Sequence, residues 1–238
     1  MPGSYEKPSA NKVCVLFSGG KDSTYAVHWA TLKGFRVSCL VTVKPESPES
    51  YMFHFPYIDL TRLQAEAMEL PQVFHLQKGE GDLEALQLAL RKAVEKYGCS
   101  AVVTGALRSD YQRMRVVEAA LNQGLKVYNP LWWRDQESYL RTLVSLGFRF
   151  IITSATVKGL DPRLIGKEID LEDADSIIQA SRVHGFNPAF EGGEAETLVT
   201  DAPLFRRRLK VTGETVRRDE YTWIFQVREA RLVEKYSP

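Results

Sequence analysis

The 238-residue sequence predicts a doubly wound α/β fold, a parallel five-stranded sheet followed by a smaller C-terminal α+β unit. Three observations carry that expectation. Up to about residue 130, short apolar runs alternate with stretches of helical periodicity, the order that builds βαβ units. The runs are almost continuously apolar, as strands covered on both faces are. After Pro130 the rhythm changes to helices set among longer β-rich stretches.

The elements follow in order. Residues 13–17, VCVLF, read as a buried strand that runs straight into SGGKDS and a helix to about Lys33, with Gly34 as its stop. Residues 36–43 read as the second strand. The stretch 44–56 holds Pro45, Pro48 and Pro56 and reads as a loop. Residues 58–69 repeat apolar side chains at helical spacing and stop before Pro71. Residues 72–76 are the third strand, 82–97 an amphipathic helix ending at Gly98, and 100–105 the fourth strand. Residues 109–122 read as a helix up to Gly124, and 125–129 as the fifth strand. Beyond Pro130 come a helix at 135–146, a strand at 148–157, a Gly/Pro loop at 159–170 and a helix at 171–184. The segment EGGEAETLV, from Glu191, reads as a glycine-rich acidic turn, followed by β-rich stretches at 206–215 and 221–233. The chain therefore divides into units 1–130 and 131–238.

Composition narrows the function classes. Lys+Arg 31 against Asp+Glu 30 leaves +1, which excludes a bulk electrostatic grip on nucleic acid or an anionic membrane. No apolar run approaches the roughly 18 residues of a membrane span, and the first twelve residues lack the apolar core of a signal peptide. Cys14, Cys39 and Cys99 form no CxxC pair; the first two lie in strand runs and read as buried small hydrophobes in a reducing cytoplasm. The four histidines show no metal-ligand spacing, and no Ser-His-Asp or Cys-His arrangement is visible.

Chemistry concentrates in SGGKDS. Gly19 and Gly20 let the backbone turn tightly and approach a ligand with no Cβ between. The amides then face an anion at a helix N-terminus. Ser18 and Ser23 add hydroxyls, Lys21 adds positive charge, and Asp22 can hold Mg²⁺ that bridges to phosphate oxygens. The loop is neither GxxxxGK[ST] nor GxGxxG. Four further segments bear on the site. GALRSDYQRMRVV (105–117) puts Gly105, Arg108, Tyr111, Gln112, Arg113 and Arg115 at the end of the fourth strand, near the loop. NPLWWRDQ (129–136) carries a Trp pair that reads as packing. GLDPRLIGKEID (159–170) reads as a loop. EGGEAETLV clusters Glu191, Glu194 and Glu196 around Gly192 and Gly193, a set suited to a cation, or to the surface of a hairpin. Arg206, Arg207 and Arg208 read as a solvated edge or a partner contact.

SGGKDS resembles the PP-loop of the N-type ATP pyrophosphatases, whose sheet is of the adenine nucleotide alpha hydrolase type. The resemblance implies that ATP is cleaved between its α and β phosphates, with Ser18, Gly19, Gly20, Lys21, Asp22 and Ser23 around the pyrophosphate portion. Taken with ESYMFH (49–54), the stretch 59–71, GALRSDYQR, PLWWRD and EGGEAETLV, the sequence is similar to the diphthine–ammonia ligase family from about residue 13 to 205. It resembles the compact archaeal form, without the further C-terminal domains of the large eukaryotic members. Two positions depart from the family's usual pattern: Phe190 precedes EGG in place of glycine, and Ala195 stands where an aromatic is usual.

The resemblance implies a cytoplasmic, AMP-forming acid–ammonia ligase using ATP and Mg²⁺. Its acceptor would be diphthine, a trimethylated modified histidine on translation elongation factor 2, and its nitrogen source ammonium. Residues 1–130 would hold ATP and 131–238 the acceptor. Gly105, Tyr111 (stacked on adenine), Gln112 and Arg113 would join the loop in binding nucleotide. Glu191, Gly192, Gly193, Glu194 and Glu196 would meet the acceptor, and Lys21, Asp22, Glu194 and Glu196 would be catalytic, with Asp22 on the metal. Neither DNA nor membrane would be a partner, and a homodimer is compatible. Two other readings stay open: a PP-loop ligase for a different carboxylate or small metabolite, and a nucleotide-binding regulatory module without turnover.

Overall fold

The computed structural model describes residues 11–46 and 57–235. The N-terminal tail, most of the proline-rich loop and ESYMFH (49–54) lie outside them. Five strands form the first sheet: β1 (Lys12–Leu16), β2 (Arg36–Lys44), β3 (Gln72–Leu76), β4 (Ala101–Val103) and β5 (Lys126–Tyr128). They run parallel in the order β3-β2-β1-β4-β5. The helices between them are α1 (Lys21–Leu32), α2 (Thr61–Ala67), α3 (Asp82–Tyr97) and α4 (Asp110–Leu121). Connections leave β1 toward β2 and later return to β4 on its other side. The order reverses there, so the crevice between β1 and β4 is where such a sheet takes its ligand.

A second, antiparallel sheet of order β7-β6-β9-β8 contains β6 (Arg149–Thr156), β7 (Ala195–Asp201), β8 (Arg207–Arg217) and β9 (Thr222–Glu234). Helices α5 (Gln136–Ser145) and α6 (Leu171–His184) accompany it. The α6 helix starts on a full capping box: Asp170 accepts from the Asp173 amide while Asp173 accepts from the Asp170 amide. Among the described residues, no helix is long and apolar enough to cross a membrane.

Alternation along the central strands assigns the two faces of the first sheet. Cys14, Cys39, Val41 and Val102 point to the side that α3 and α4 cover with Leu86, Leu90, Ala119 and Ala120. All three cysteines lie there, buried and unbridged, as small apolar side chains. Val13, Val15, Leu40 and Val103 point to the other side. That core runs without a break through Ala26 and Val27 of α1 into Tyr139, Leu143, Phe150, Ile152 and Val199. The apolar interior is therefore continuous across residue 130, and the second sheet is packed on the first rather than tethered to it.

Two expectations need correction. The helix expected at 58–69 is a 3₁₀ turn at Ile58–Leu60 followed by the short α2, because Glu69 takes a positive φ of 55° and turns the chain toward Pro71. EGGEAETLV is only half a turn: Ala195–Asp201 is a full strand, β7, paired to β6. Arg206, Arg207 and Arg208 stand at the head of β8, an edge strand of its sheet, as the reading of a solvated edge expects. Arg207 pairs with Glu66 and Arg208 with Glu168, both at 2.6 Å, while Arg206 approaches Glu69 at 3.8 Å.

A cleft where the two sheets meet

The SGGKDS loop leaves β1 and opens α1. Gly19 sits at φ 81°, and a Cβ there would lie 2.3 Å from Gln64 Oε1. Glycine is required both by the left-handed backbone and by the approach of Gln64. Gln64 is fully buried on α2, and its Nε2 donates to Gly19 O (2.9 Å) and Val199 O (2.8 Å). The Val199 amide also donates to Gly19 O at 3.0 Å, and Thr197 Oγ1 accepts from the Lys21 amide at 3.2 Å. The loop is thus clamped from beneath by α2 and from the side by β7. Ser23 Oγ accepts from the Ser18 amide at 3.3 Å and donates to Gly20 O at 3.1 Å. At the start of the next loop, a Cβ on Gly105 would fall 2.6 Å from the Asp22 carbonyl carbon, so only glycine lets these two segments touch.

Lys21 is almost wholly buried, and its Nζ lies 2.8 Å from Asp22 Oδ2 and 5.9 Å from the centre of the Phe190 ring. Asp22 Oδ1 accepts from the hydroxyl of Tyr139 at 2.8 Å. Burial, then the neighbouring Asp22 charge, push the Tyr139 phenol well above its ordinary value, so it remains a donor.

The loop and Phe190 help to wall a cleft of about 640 Å³. Its polar end is Ser18, Gly20, Lys21, Asp22 and Ser23; its apolar end is Val41 and Val43 of β2 with Leu86 of α3 and Val116 of α4; its roof is Phe190–Gly193 with Glu196 and Thr197. One polar, amide-lined end and one apolar end suit a nucleotide, phosphates at the first and base at the second. Asp22 keeps a partly exposed carboxylate in that wall. Among the described residues, no group of three His, Cys, Asp or Glu is arranged to hold a metal. The chemistry of the wall, a carboxylate beside an anion cradle, fits a Mg²⁺ ion that is shared with phosphate oxygens.

The three glutamates separate. Glu191 Oε1 accepts from the Arg108 and Ser109 amides, both at 3.0 Å, and so fastens the roof to the start of α4. Glu194 lines a smaller cavity with Arg108, Phe186, Asn187 and Glu191, where its Oε2 accepts from the Asn187 amide at 2.9 Å. Burial raises its pKa, against the opposing effect of that amide. Glu196 alone of the three lies both on β7 and in the wall of the main cleft. Gly192 borders both cavities; Gly193 borders the main one.

Gly105 and Gln112 also line the main cleft, but Tyr111 and Arg113 do not. Tyr111 is half exposed with Arg115 5.3 Å from its ring. Arg113 turns to Asp110 at 3.1 Å and to the Trp132 ring at 4.6 Å. Helical geometry explains this: Gln112 and Val116, four apart, face the sheet, whereas Tyr111 and Arg113 flank that stripe. Sequence reading missed Tyr139, Gln64 and Thr197. The first two sit on helices with no local motif, and the third was hidden by the turn-like composition before it.

Comparison with known proteins gives consistent matches. The family model described as "Diphthamide synthase N-terminal domain" matches residues 11–127, and "Diphthamide synthase C-terminal domain" matches residues 135–236. Three curated relatives carry the name diphthine–ammonia ligase. The Bos taurus protein is 31% identical, covering 95% of this chain and 94% of its own length. The Homo sapiens protein is 32% identical over 86% and 84% of the two chains, and the Rattus norvegicus protein 34% over 86% and 85%.

Proposed function

The chain belongs to the diphthamide synthase family, and from that premise we propose that it amidates the diphthine carboxylate of translation elongation factor 2, using ATP and ammonium and releasing AMP and pyrophosphate. The observation that carries this reading is the clamp between the loop and β7: the Lys21 amide donates to Thr197, one residue after Glu196. An anion cradle and the acidic turn that leads into β7 thereby share one cleft.

The reaction divides between the two ends of that cleft. The acceptor carboxylate oxygen attacks the α-phosphorus of ATP, forming an acyl-adenylate, and the bond to the β-phosphate oxygen breaks. The amides and hydroxyls of Ser18–Ser23 receive the departing pyrophosphate, with Lys21 neutralising developing charge. Ammonia then attacks the acyl carbon, a C–N bond forms, and AMP leaves with the former carboxylate oxygen. The incoming ammonium must lose protons, and we assign their acceptance to Glu196 and Glu194, a reading supported by Glu196 in the cleft wall and Glu194 in the adjoining cavity. Mg²⁺, held by Asp22 together with phosphate oxygens, would supply further charge neutralisation. Residues 1–130 then serve ATP and residues 131–238 the acceptor, although Tyr139 and Thr197 of the second stretch complete the nucleotide loop. Phe190 and Ala195, the two departures from the family pattern, both lie in the cleft wall, where they shape the space left to the acceptor.

The test is incubation with ATP, ammonium and elongation factor 2 bearing diphthine. AMP release with conversion of acid to amide by mass spectrometry is the expected result. ATP turnover with an unchanged factor points to another carboxylate, and absence of AMP and pyrophosphate points to a binding module.

A further inference from the structure

Outside the cleft, α4 and the turn after β5 build an exposed face that the chemistry above does not use. Trp133 is 67% exposed and sits at φ 59°. Bulky side chains rarely take that backbone conformation, and here it holds the indole outward. The Trp133 amide donates to Leu107 O at 3.1 Å, which fixes this turn against the loop before α4. Trp132 meets Trp133 edge to face at 6.3 Å. Tyr111 and Met114, one helical turn apart and at least half exposed, extend the face along α4. Arginines cover its rings: Arg108 Cζ lies 5.1 Å from Trp133, Arg113 4.6 Å from Trp132, and Arg115 5.3 Å from Tyr111.

Trp, Tyr, Met and Arg are the residues that protein interfaces concentrate at their centres. Position adds to composition. Arg108 also lines the Glu194 cavity, and Gln112 on the same helix lines the main cleft, so the face runs directly into the rim through which an acceptor side chain enters. A modified residue on a folded protein can reach a cleft only if that protein's surface rests on its rim.

Resting on the function proposed above, we infer that this face docks the acceptor protein, through an apolar pocket that takes Trp133 and carboxylates that meet Arg108. Arginine stacked on an indole keeps its edge free for a carboxylate. RNA is the weaker match. Arg113 and Arg115 are already paired with Asp110 and Glu118, at 3.1 and 3.6 Å, which leaves little uncommitted charge for phosphates.

The experiment compares the full chain with Trp133→Ala and with Met114→Glu, in steady-state amidation of diphthine-bearing elongation factor 2. The KM for the factor rises about tenfold or more in each variant, as expected when a central anchor is lost. The KM for ATP, kcat at saturating factor and the melting temperature stay near wild type. Trp133→Phe recovers most of the affinity. An unchanged KM for the factor in both alanine and glutamate variants overturns the docking face. So does parallel loss of ATP affinity, which would assign the face to the nucleotide site. Added RNA that competes with the factor for wild type and not for Trp133→Ala reassigns the face to RNA and overturns the proposal. If wild type itself fails to amidate the factor, the function falls and the docking face with it.

Discussion

The hydroxyl of Tyr139 donates to Asp22 Oδ1 at 2.8 Å, while Lys21 Nζ holds Oδ2 at the same distance. The two residues are 117 positions apart, and each oxygen of the Asp22 carboxylate is held by a donor from a different element. Tyr139→Phe removes one donor and keeps the buried ring. Turnover of ATP falls about ten- to a hundredfold, the usual range when the partner of a metal ligand is lost, if Asp22 carries the Mg²⁺ proposed above. Titrating Mg²⁺ checks the role: a higher Mg²⁺ requirement with an almost unchanged melting temperature identifies positioning. Unchanged turnover would assign Tyr139 to packing alone, since phenylalanine keeps the ring.

Gly19 and Gly34 share nearly the same backbone, φ 81° and 80°, but not the same surroundings. A Cβ at Gly19 meets Gln64 and Thr61, whereas one at Gly34 meets nothing within 4 Å. Gly34→Ala therefore costs only the left-handed strain, about 1 kcal/mol, and leaves turnover intact. Gly19→Ala adds overpacking, raises the loss to roughly 3 kcal/mol and abolishes AMP formation. Denaturant unfolding of both variants measures the difference.

His28, on α1, is buried against Phe148. Its Nδ1–H donates to Thr24 O and its Nε2 accepts from the Leu204 amide, both at 2.9 Å. Burial lowers its pKa from 6.5 to about 4. The folded value lies below the unfolded one, so the unfolded chain binds the proton first. This contribution is fully present above about pH 6.5 and is lost progressively as pH falls toward 4, up to about 3 kcal/mol. Unfolding free energies between pH 7.5 and 4.5 should fall in wild type. His28→Gln should be less stable at neutral pH and flatter across that window.

Glu194→Gln keeps an oxygen for the Asn187 amide and removes the charge. Pyrophosphate release from ATP stays within a few-fold of wild type, while amide formation drops at least about tenfold, a modest share of what general-base catalysis contributes. Because burial raises the Glu194 pKa, the wild-type rate of the amidation step declines on the acid side at a pH above the ordinary glutamate value of 4.5, and the glutamine variant lacks that limb. Equal loss of both half-reactions would place Glu194 in ATP chemistry instead.

Most of the first sheet was legible because its signals are local. Gln72–Leu76 and Asp82–Tyr97 match their sequence reading end for end, since Pro71 and Gly98 punctuate them. The SGGKDS loop was legible for the same reason. β7 was not: Glu191–Glu194 reads as a turn, and nothing in EAETLV says that its partner is β6, some forty residues earlier. The acidic trio also read as one cluster, because adjacency in sequence hides that Glu191 and Glu194 lie in the turn and only Glu196 on the strand that follows it. Gln64 and Tyr139 show the deeper limit. Each is an ordinary residue of an amphipathic helix, and its place under the loop is created only by the packing of one sheet on the other.

The bond from the Lys21 amide to Thr197 spans 176 positions. A ribosome making this protein releases the phosphate loop well over a hundred residues before the strand that closes it. The loop cannot take its final shape on the nascent chain until that strand arrives, whatever the first sheet has already achieved. Closure over such a separation makes the site a late event in folding. A ribosome-stalled chain ending before residue 195 would therefore carry a formed parallel sheet and an ATP loop still waiting for its wall.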